Sequence, residues 1–212
     1  DLTGQSVANV VWSLAILSCG SIAHQWAQPV STVLEHGNCN PQELSNISWA
    51  MVRLRVLKDI PIKLVVAAFT SNFGNFNSQN IANLSLAFAR IGGDGTCNIE
   101  PFWTAVMHAT TARTMEFNTR ELANLCWSFA AIKKTIALSS IADEFLRREH
   151  EEADQGSMLA MLWGLSFAGV KHLDLFRRVR HRLVSHGKKL DRSRETQLHR
   201  LLPLGFATTN TG

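Results

Sequence analysis

One pattern is written into this chain five times, and it restricts the fold more than any other feature. From Gln5 the sequence reads QSVANVVWSLAIL, from Gln42 QELSNISWAMVRL, from Gln79 QNIANLSLAFARI and from Arg120 RELANLCWSFAAI; a weaker copy from Gly156 reads GSMLAMLWGLSFA. The tryptophan position falls at Trp12, Trp49, Leu86, Trp127 and Trp163, at intervals of 37, 37, 41 and 36 residues. An asparagine three residues earlier recurs at Asn9, Asn46, Asn83 and Asn124 and becomes Ala160 in the last copy. Self-similarity at a nearly constant period of this length is the mark of a repeat architecture, in which each copy is one supersecondary unit that buries its apolar face only against its neighbours.

Each copy begins like a helix. Asn40, Asn77, Asn118 and Asp154 suit the N-cap, Pro41 suits the first helical position, and Glu43 and Glu121 stand three residues after Asn40 and Asn118 as in a capping box. About thirteen residues follow with apolar side chains on nearly every face, so this first helix has to be enclosed by others. Stops are expected near Gly20, Asp59-Ile60-Pro61, Gly92-Gly93 and Gly169. A second, more amphipathic helix is predicted in each copy, over 22–36, 61–73, 99–115, 136–149 and 171–186. In the last of these Leu173, Phe176, Val179, Leu183 and Val184 form an apolar stripe. The expected fold is therefore all-α: a single α-solenoid domain over 1–212, with about five helix-turn-helix repeats of roughly 37 residues. The repeats run approximately 2–38, 39–75, 76–116, 117–152 and 153–189, and a degenerate cap covers 190–212.

The segments PQELSNISWAMVRL, SQNIANLSLAFARI and TRELANLCWSFAAI resemble the octotricopeptide repeat and the related heptatricopeptide repeats, over roughly residues 2–186. That resemblance implies a non-catalytic organellar protein, of mitochondrion or plastid, that binds RNA as a free transcript or as ribosomal RNA. It also leaves room for a structural subunit of a large organellar assembly that uses the solenoid for protein–protein contacts. The chain departs from the family pattern at Leu86, which replaces the tryptophan, and at Ala160, which replaces the asparagine. The basic C-terminal domain often attached to family members has no recognisable counterpart. Five units would read only a few nucleotides if one unit met one base.

Charge points to the C-terminal end. The formal net charge is +4, but residues 1–170 carry 11 Lys+Arg against 14 Asp+Glu while residues 171–212 carry 10 against 3. Arg177, Arg178, Arg180, Arg182, Lys188, Lys189, Arg192 and Arg194, with His172, His181 and His186, make a cationic surface of the kind that phosphate contacts require. The helix starts, where sequence varies between copies, are the other candidate RNA contact: Gln5 and Ser6, Gln42 and Glu43, Gln79 and Asn80, Arg120 and Glu121, at N-termini whose amides favour phosphate; the alternative reading is that these are capping residues alone. The tryptophan column is expected in the core, since an aromatic per repeat contributes the largest area to the seam between repeats. The asparagine column is expected to satisfy loop carbonyls, because polar groups in an apolar helix need partners; a ladder of ligand contacts is the other reading.

Catalytic and metal-binding patterns are weak. Gly92-Gly93-Asp94-Gly95-Thr96 reads as turn chemistry because no strand precedes it. Cys19, His24, His36 and Cys39 resemble zinc ligands by type, but His24 and His36 would lie about 18 Å apart along one helix. The sequons at Asn46 and Asn83 fall inside helices expected to be buried. Arg147 to Glu152 reads as a mixed-charge helix end. No enzyme activity, metal, cofactor or small-molecule substrate is expected. No apolar run approaches the roughly 18 residues of a membrane span, and the four separated cysteines lack the CxxC pairing of structural zinc sites. A chain that opens at Asp1 reads as trimmed, which leaves room for a targeting segment ahead of it.

Overall fold

The computed structural model describes residues 2–37, 39–55, 62–91 and 99–185, with the side chains of 149–152 and 183–185 left undescribed. Among these residues every regular element is helical. The helices are α1 (Gly4–Ile16), α2 (Gly20–Ala23), α3 (Ala27–Glu35), α4 (Pro41–Arg53), α5 (Ile62–Ser71), α6 (Ser78–Ile91), α7 (Glu100–Ala112), α8 (Thr119–Ala131), α9 (Leu138–Glu152), α10 (Gln155–Phe167) and α11 (Leu173–Ser185). The predicted stops at 59–61 and at Gly92-Gly93, the GGDGT turn and the cap 190–212 lie outside the described residues.

The helix starts form as their sequences dictate. Asn40 and Asn118 each accept from the third helical N–H and receive the returning carboxylate of Glu43 and Glu121, closing both capping boxes. Asn77 accepts from Asn80 N–H at 2.9 Å and Asp154 from Ser157 N–H at 2.8 Å. Thr3 caps α1 in the same way, with Ser6 as its reciprocal partner. The helix ends repeat as well. Six residues after the tryptophan position, Ser18, Arg55, Lys133 and Gly169 all turn left-handed, with φ of 57°, 61°, 60° and 69°. At α1, α8 and α10 the next N–H then reaches back to close a Schellman motif. Lys133 carries a Cβ in a region that favours glycine. Lys133→Gly is expected to stabilise the fold by about 0.5–1 kcal/mol, read as a higher melting midpoint in circular dichroism.

The predicted helix over 22–36 is instead broken into α2, a 3-10 turn at His24–Trp26, and α3. Pro29 explains the break: it has no N–H to continue a helix from upstream, and it is tolerated only in the first turn, where it sits in α3.

The chain divides into two compact units, Asp1–Ala112 and Arg113–Gly212. In the first, α1 packs on α4 and α4 on α6, while α3, α5 and α7 follow one another on the other side. In the second, α8 packs on α10, with α9 against α8 and α11 against both α9 and α10. Contacts between neighbouring first helices join positions within two residues of equivalence, which makes the helices parallel and close to in register. Arg53 Nε donates to the Ala15 carbonyl at 3.0 Å, Ser45 Oγ to the Asn80 carbonyl at 3.2 Å, and the Cys126 thiol to the Met161 carbonyl at 3.8 Å.

The core is built from phenylalanine. In the first unit Phe69, Phe76, Phe88 and Phe102 are buried against one another, with centroid separations of 4.4 Å for Phe88–Phe102 and 4.7 Å for Phe69–Phe102. Phe117, Phe129 and Phe145 serve the second unit. The expected tryptophan core is thus corrected: Trp12 is 44% and Trp163 39% exposed, and Trp49, Leu86 and Trp127 are only half-buried. The stripe predicted on the last helix also shifts. Leu175, Phe176 and Val179 are buried, whereas Leu173 is exposed, because it stands at the first turn of α11; the side chains of Leu183 and Val184 lie outside the described residues.

One arginine ties the second unit's entry loop down. Arg148 donates to the carbonyls of Phe117 (2.7 Å) and Met115 and to the Glu144 carboxylate. Glu144, held also by Arg147, has its carboxyl below the usual glutamate range, foremost through the hydrogen bond from Arg147. Arg148→Ala strips the buried Phe117 carbonyl of its donor and is expected to cost about 2 kcal/mol in a urea denaturation curve.

Candidate nucleic-acid interface

A first helix enclosed by neighbours leaves one narrow face to solvent, and the repeat fills that face in a fixed order. Residues four before, three after and seven after the asparagine fall within an arc of about 60° of it, at 3.6 residues per turn. In the first unit this places Gln5, Asn9, Trp12 and Ile16 on α1, Gln42, Asn46, Trp49 and Arg53 on α4, and Gln79, Asn83, Leu86 and Arg90 on α6. All twelve side chains are exposed or half-buried. Because the three helices are parallel and in register, the stripes align as rows: a row of glutamines, a row of asparagines, a row of Trp, Trp and Leu, and a row ending in two arginines.

None of the amides in these rows is consumed by the fold. Among the described residues the side chains of Gln5, Gln42, Gln79, Asn9, Asn46 and Asn83 make no hydrogen bond, so at Asn9, Asn46 and Asn83 the expected bonds to loop carbonyls are not seen there. Arg53 lies 5.4 Å over the Trp49 ring while its Nε holds the end of α1, so one side chain both braces the pair of helices and presents charge beside an aromatic face.

The acidic groups among the described residues of the first unit stay off these rows. Glu43 is used in its cap, and Glu35 and Glu100 belong to second helices. A unit with little positive charge as a whole therefore presents a face whose only charged side chains are Arg53 and Arg90.

The second unit continues the pattern in altered form. Arg120, Asn124 and Trp127 lie on α8; Gly156, Ala160, Trp163 and Phe167 lie on α10. The amides give way to an aromatic stack: Trp127 and Trp163 stand 6.4 Å apart at 20°, and Trp163 and Phe167 5.2 Å apart at 4°. Phe167 is 58% exposed. Arg120 reaches 3.2 Å to Asp154, the cap of α10; burial pushes the Asp154 carboxyl up, and the Ser157 N–H foremost, then Arg120, outweigh it and hold it low. Of the four helix-start candidates, the three glutamines are free and Arg120 is partly spent on the next helix.

The basic C-terminal candidates divide. Arg177, Arg178 and Arg180 are exposed along α11 and Arg182 half-buried; Arg177 pairs loosely with Asp174 at 3.8 Å. His172 does not join the basic face. Its Nδ1 accepts from Leu175 N–H, so Nε2 carries the proton and donates to Asp143 at 2.9 Å, tying the start of α11 to α9. Lys188, Lys189, Arg192, Arg194 and His186 lie outside the described residues.

Other chemistry is sparse. The Cys126 thiol, enclosed between α8 and α10, is pushed up to about 12 by burial; Cys39 is pushed up to about 11 by burial and then by Glu43. Both remain protonated at neutral pH, which is the opposite of an activated nucleophile. A cavity of about 130 Å³ beside Cys39, lined by Leu34, Leu44 and Phe76 among others, contains no charged side chain. Among the described residues no helix is long and apolar enough to cross a membrane. No family model matches the chain.

Proposed function

We propose that the chain is a non-catalytic RNA-binding protein of the octotricopeptide and heptatricopeptide type, an α-solenoid of five two-helix repeats acting in a mitochondrion or plastid. The observation that carries this reading is the aligned rows of tryptophans, arginines and glutamine and asparagine amides on adjacent first helices, of which the amides make no hydrogen bond among the described residues. Amides offer a donor and an acceptor to the edge of a base, aromatic rings offer a stacking face, and arginine offers charge to the backbone. Neighbouring helices stand about 8–10 Å apart, more than twice the rise of about 3.4 Å per nucleotide in a stacked strand. The rows therefore suit single-stranded RNA with its bases unstacked and laid onto the protein, and they do not suit a duplex. Arg177, Arg178, Arg180 and Arg182 on α11 supply sequence-independent attraction.

Filter binding of single-stranded RNA tests this. Affinity is expected to fall steeply with salt, and replacing those four arginines by alanine is expected to flatten the salt slope and remove most binding. No retention of RNA at low salt would reject the reading.

One observation favours a second reading, a scaffold subunit of a large organellar assembly. Leu17, Ile22 and Leu2 are exposed around α1, on a stretch without charge. A chain purified in a stoichiometric complex that survives nuclease would favour it over RNA binding.

A further inference from the structure

Adjacent first helices of the first unit offer a ligand the same set of side chains. α4 lies between α1 and α6, and with both contacts made its stripe still shows Gln42, Asn46, Trp49 and Arg53. The stripe of α6 shows Gln79, Asn83, Leu86 and Arg90. Three of the four positions hold the same residue. The one that differs, Trp49 against Leu86, offers a face to lie on and not an edge to read. On α1 the amides recur as Gln5 and Asn9. Helical-repeat proteins that read one base per repeat change their reading side chains where the bases change. Here those side chains do not change, so successive helices select the same base.

The chemistry of the pair narrows which base. Its two amides stand one turn apart on one face, about 6 Å along the axis, so both address one base. A side-chain amide presents an acceptor beside a donor and is matched by a base edge that presents a donor beside an acceptor. Adenine has two such edges, because its amino group has two hydrogens, one lying beside N7 and the other beside N1. Cytosine has one such edge, and uracil has a single N3–H to share between its carbonyl oxygens. Guanine has one, at O6 and N1–H; its other edge is two acceptors, which suit arginine or lysine.

We propose that the first unit selects a run of adenines in single-stranded RNA, each Gln–Asn pair holding one base by both of its amide-matching edges. This rests on the RNA-binding reading above and adds the base to it. The order of the rows fits a nucleotide laid along the helix. Asparagine to arginine spans seven residues, about 10 Å of rise, which sets the base edges at the amides, the ring beside Trp49 and the phosphate toward Arg53. In the second unit the pair is lost: α8 has Arg120 with Asn124, and α10 has Gly156 with Ala160. The selectivity therefore belongs to the first unit alone.

Anisotropy titration of the full chain with short oligo(A), oligo(U), oligo(C) and an alternating adenine–guanine strand of equal length, at one salt concentration, tests the base. Oligo(A) should bind at least about tenfold more tightly than each of the others, the low end of what one matched bidentate pair contributes. Replacing adenine by 7-deazaadenine keeps the ring and the amino group and removes N7. It should cancel most of that advantage with the protein unaltered. Asn46→Ala combined with Asn83→Ala should shrink the ratio of oligo(A) to oligo(U) affinity at least about threefold, with circular dichroism reporting the fold. If that variant does not fold, the 7-deazaadenine strand decides alone. No binding of any strand would reject the RNA reading and this inference together. Equal affinity for all four strands, a preference for any strand other than oligo(A), or an oligo(A) preference that survives either the 7-deazaadenine replacement or the folded double variant would overturn the adenine assignment and leave RNA binding standing.

Discussion

Gly164→Leu is expected to lower the stability of the chain by at least about 3 kcal/mol, a drop of roughly 6–12 °C in the melting midpoint at this size. The reason is the approach of α10 to α8. A Cβ at Gly164 would meet the Cys126 sulfur at 3.0 Å and the backbone of Cys126 and Trp127 at 3.2 Å. The sulfur sits on a short side chain that is itself buried, and backbone inside a helix does not yield, so the two helices must separate. Gly164→Ala is the graded control. It recovers up to about 1 kcal/mol of helix propensity but has to pay the same contact, for a net loss of about 1–2 kcal/mol. Separation of the helices would also pull Trp163 from Trp127, so near-ultraviolet circular dichroism should lose its aromatic signal in step with the change in melting. A Gly164→Leu variant as stable as the wild type would contradict the packing described for α8 and α10.

The second large effect is on the candidate interface. Trp49→Ala is expected to weaken single-stranded RNA binding by about 1–3 kcal/mol, a factor of roughly 5 to 150, the range found when an aromatic base-stacking residue is removed. Trp49 is half-buried and the phenylalanine core lies elsewhere, so the melting midpoint should fall much less than for a core aromatic. Arg53 loses a ring beneath it but keeps its hydrogen bond to Ala15. Gln42→Ala and Asn46→Ala should change which RNA sequence is preferred more than the overall affinity, because an amide reads base edges while a ring stacks on any base. Met115→Ala, at an exposed position of the turn before α8 and outside the rows, should leave binding unchanged in the same anisotropy titration.

Much of the local structure was legible in the sequence because the signals were redundant. Asn40 with Glu43, and Asn118 with Glu121, mark a helix start by two reciprocal hydrogen bonds, and Gly169 marks an end by its freedom at positive φ. Ser18, Arg55 and Lys133 take the same left-handed turn without glycine, and only alignment of the repeats exposes them. The helix predicted over 22–36 is broken because Pro29 fits only a first helical turn, and so marks the start of α3 rather than the interior of one helix. The tryptophans were misplaced for a different reason. Area per residue argues for burial, but periodicity argues against it: Trp12 lies three residues after Asn9 and seven after Gln5, on the polar side of an otherwise apolar helix. The period was the stronger signal, and the polar neighbours at the same angle marked the face. Whether the amides were spent on the fold could not be read from sequence at all, since it depended on how loops between helices satisfy themselves.

The central claim is that the exposed stripe of the first helices is the surface that meets RNA. Photo-crosslinking of the full chain to short single-stranded RNAs containing thiouridine, followed by peptide mapping, tests it most directly. Adducts should map to the peptides that carry Trp12, Trp49, Trp127 and Trp163, with α11 crosslinked more weakly. Adducts confined to α3, α5, α7 and α9, or none on a chain that still retains RNA, would contradict it.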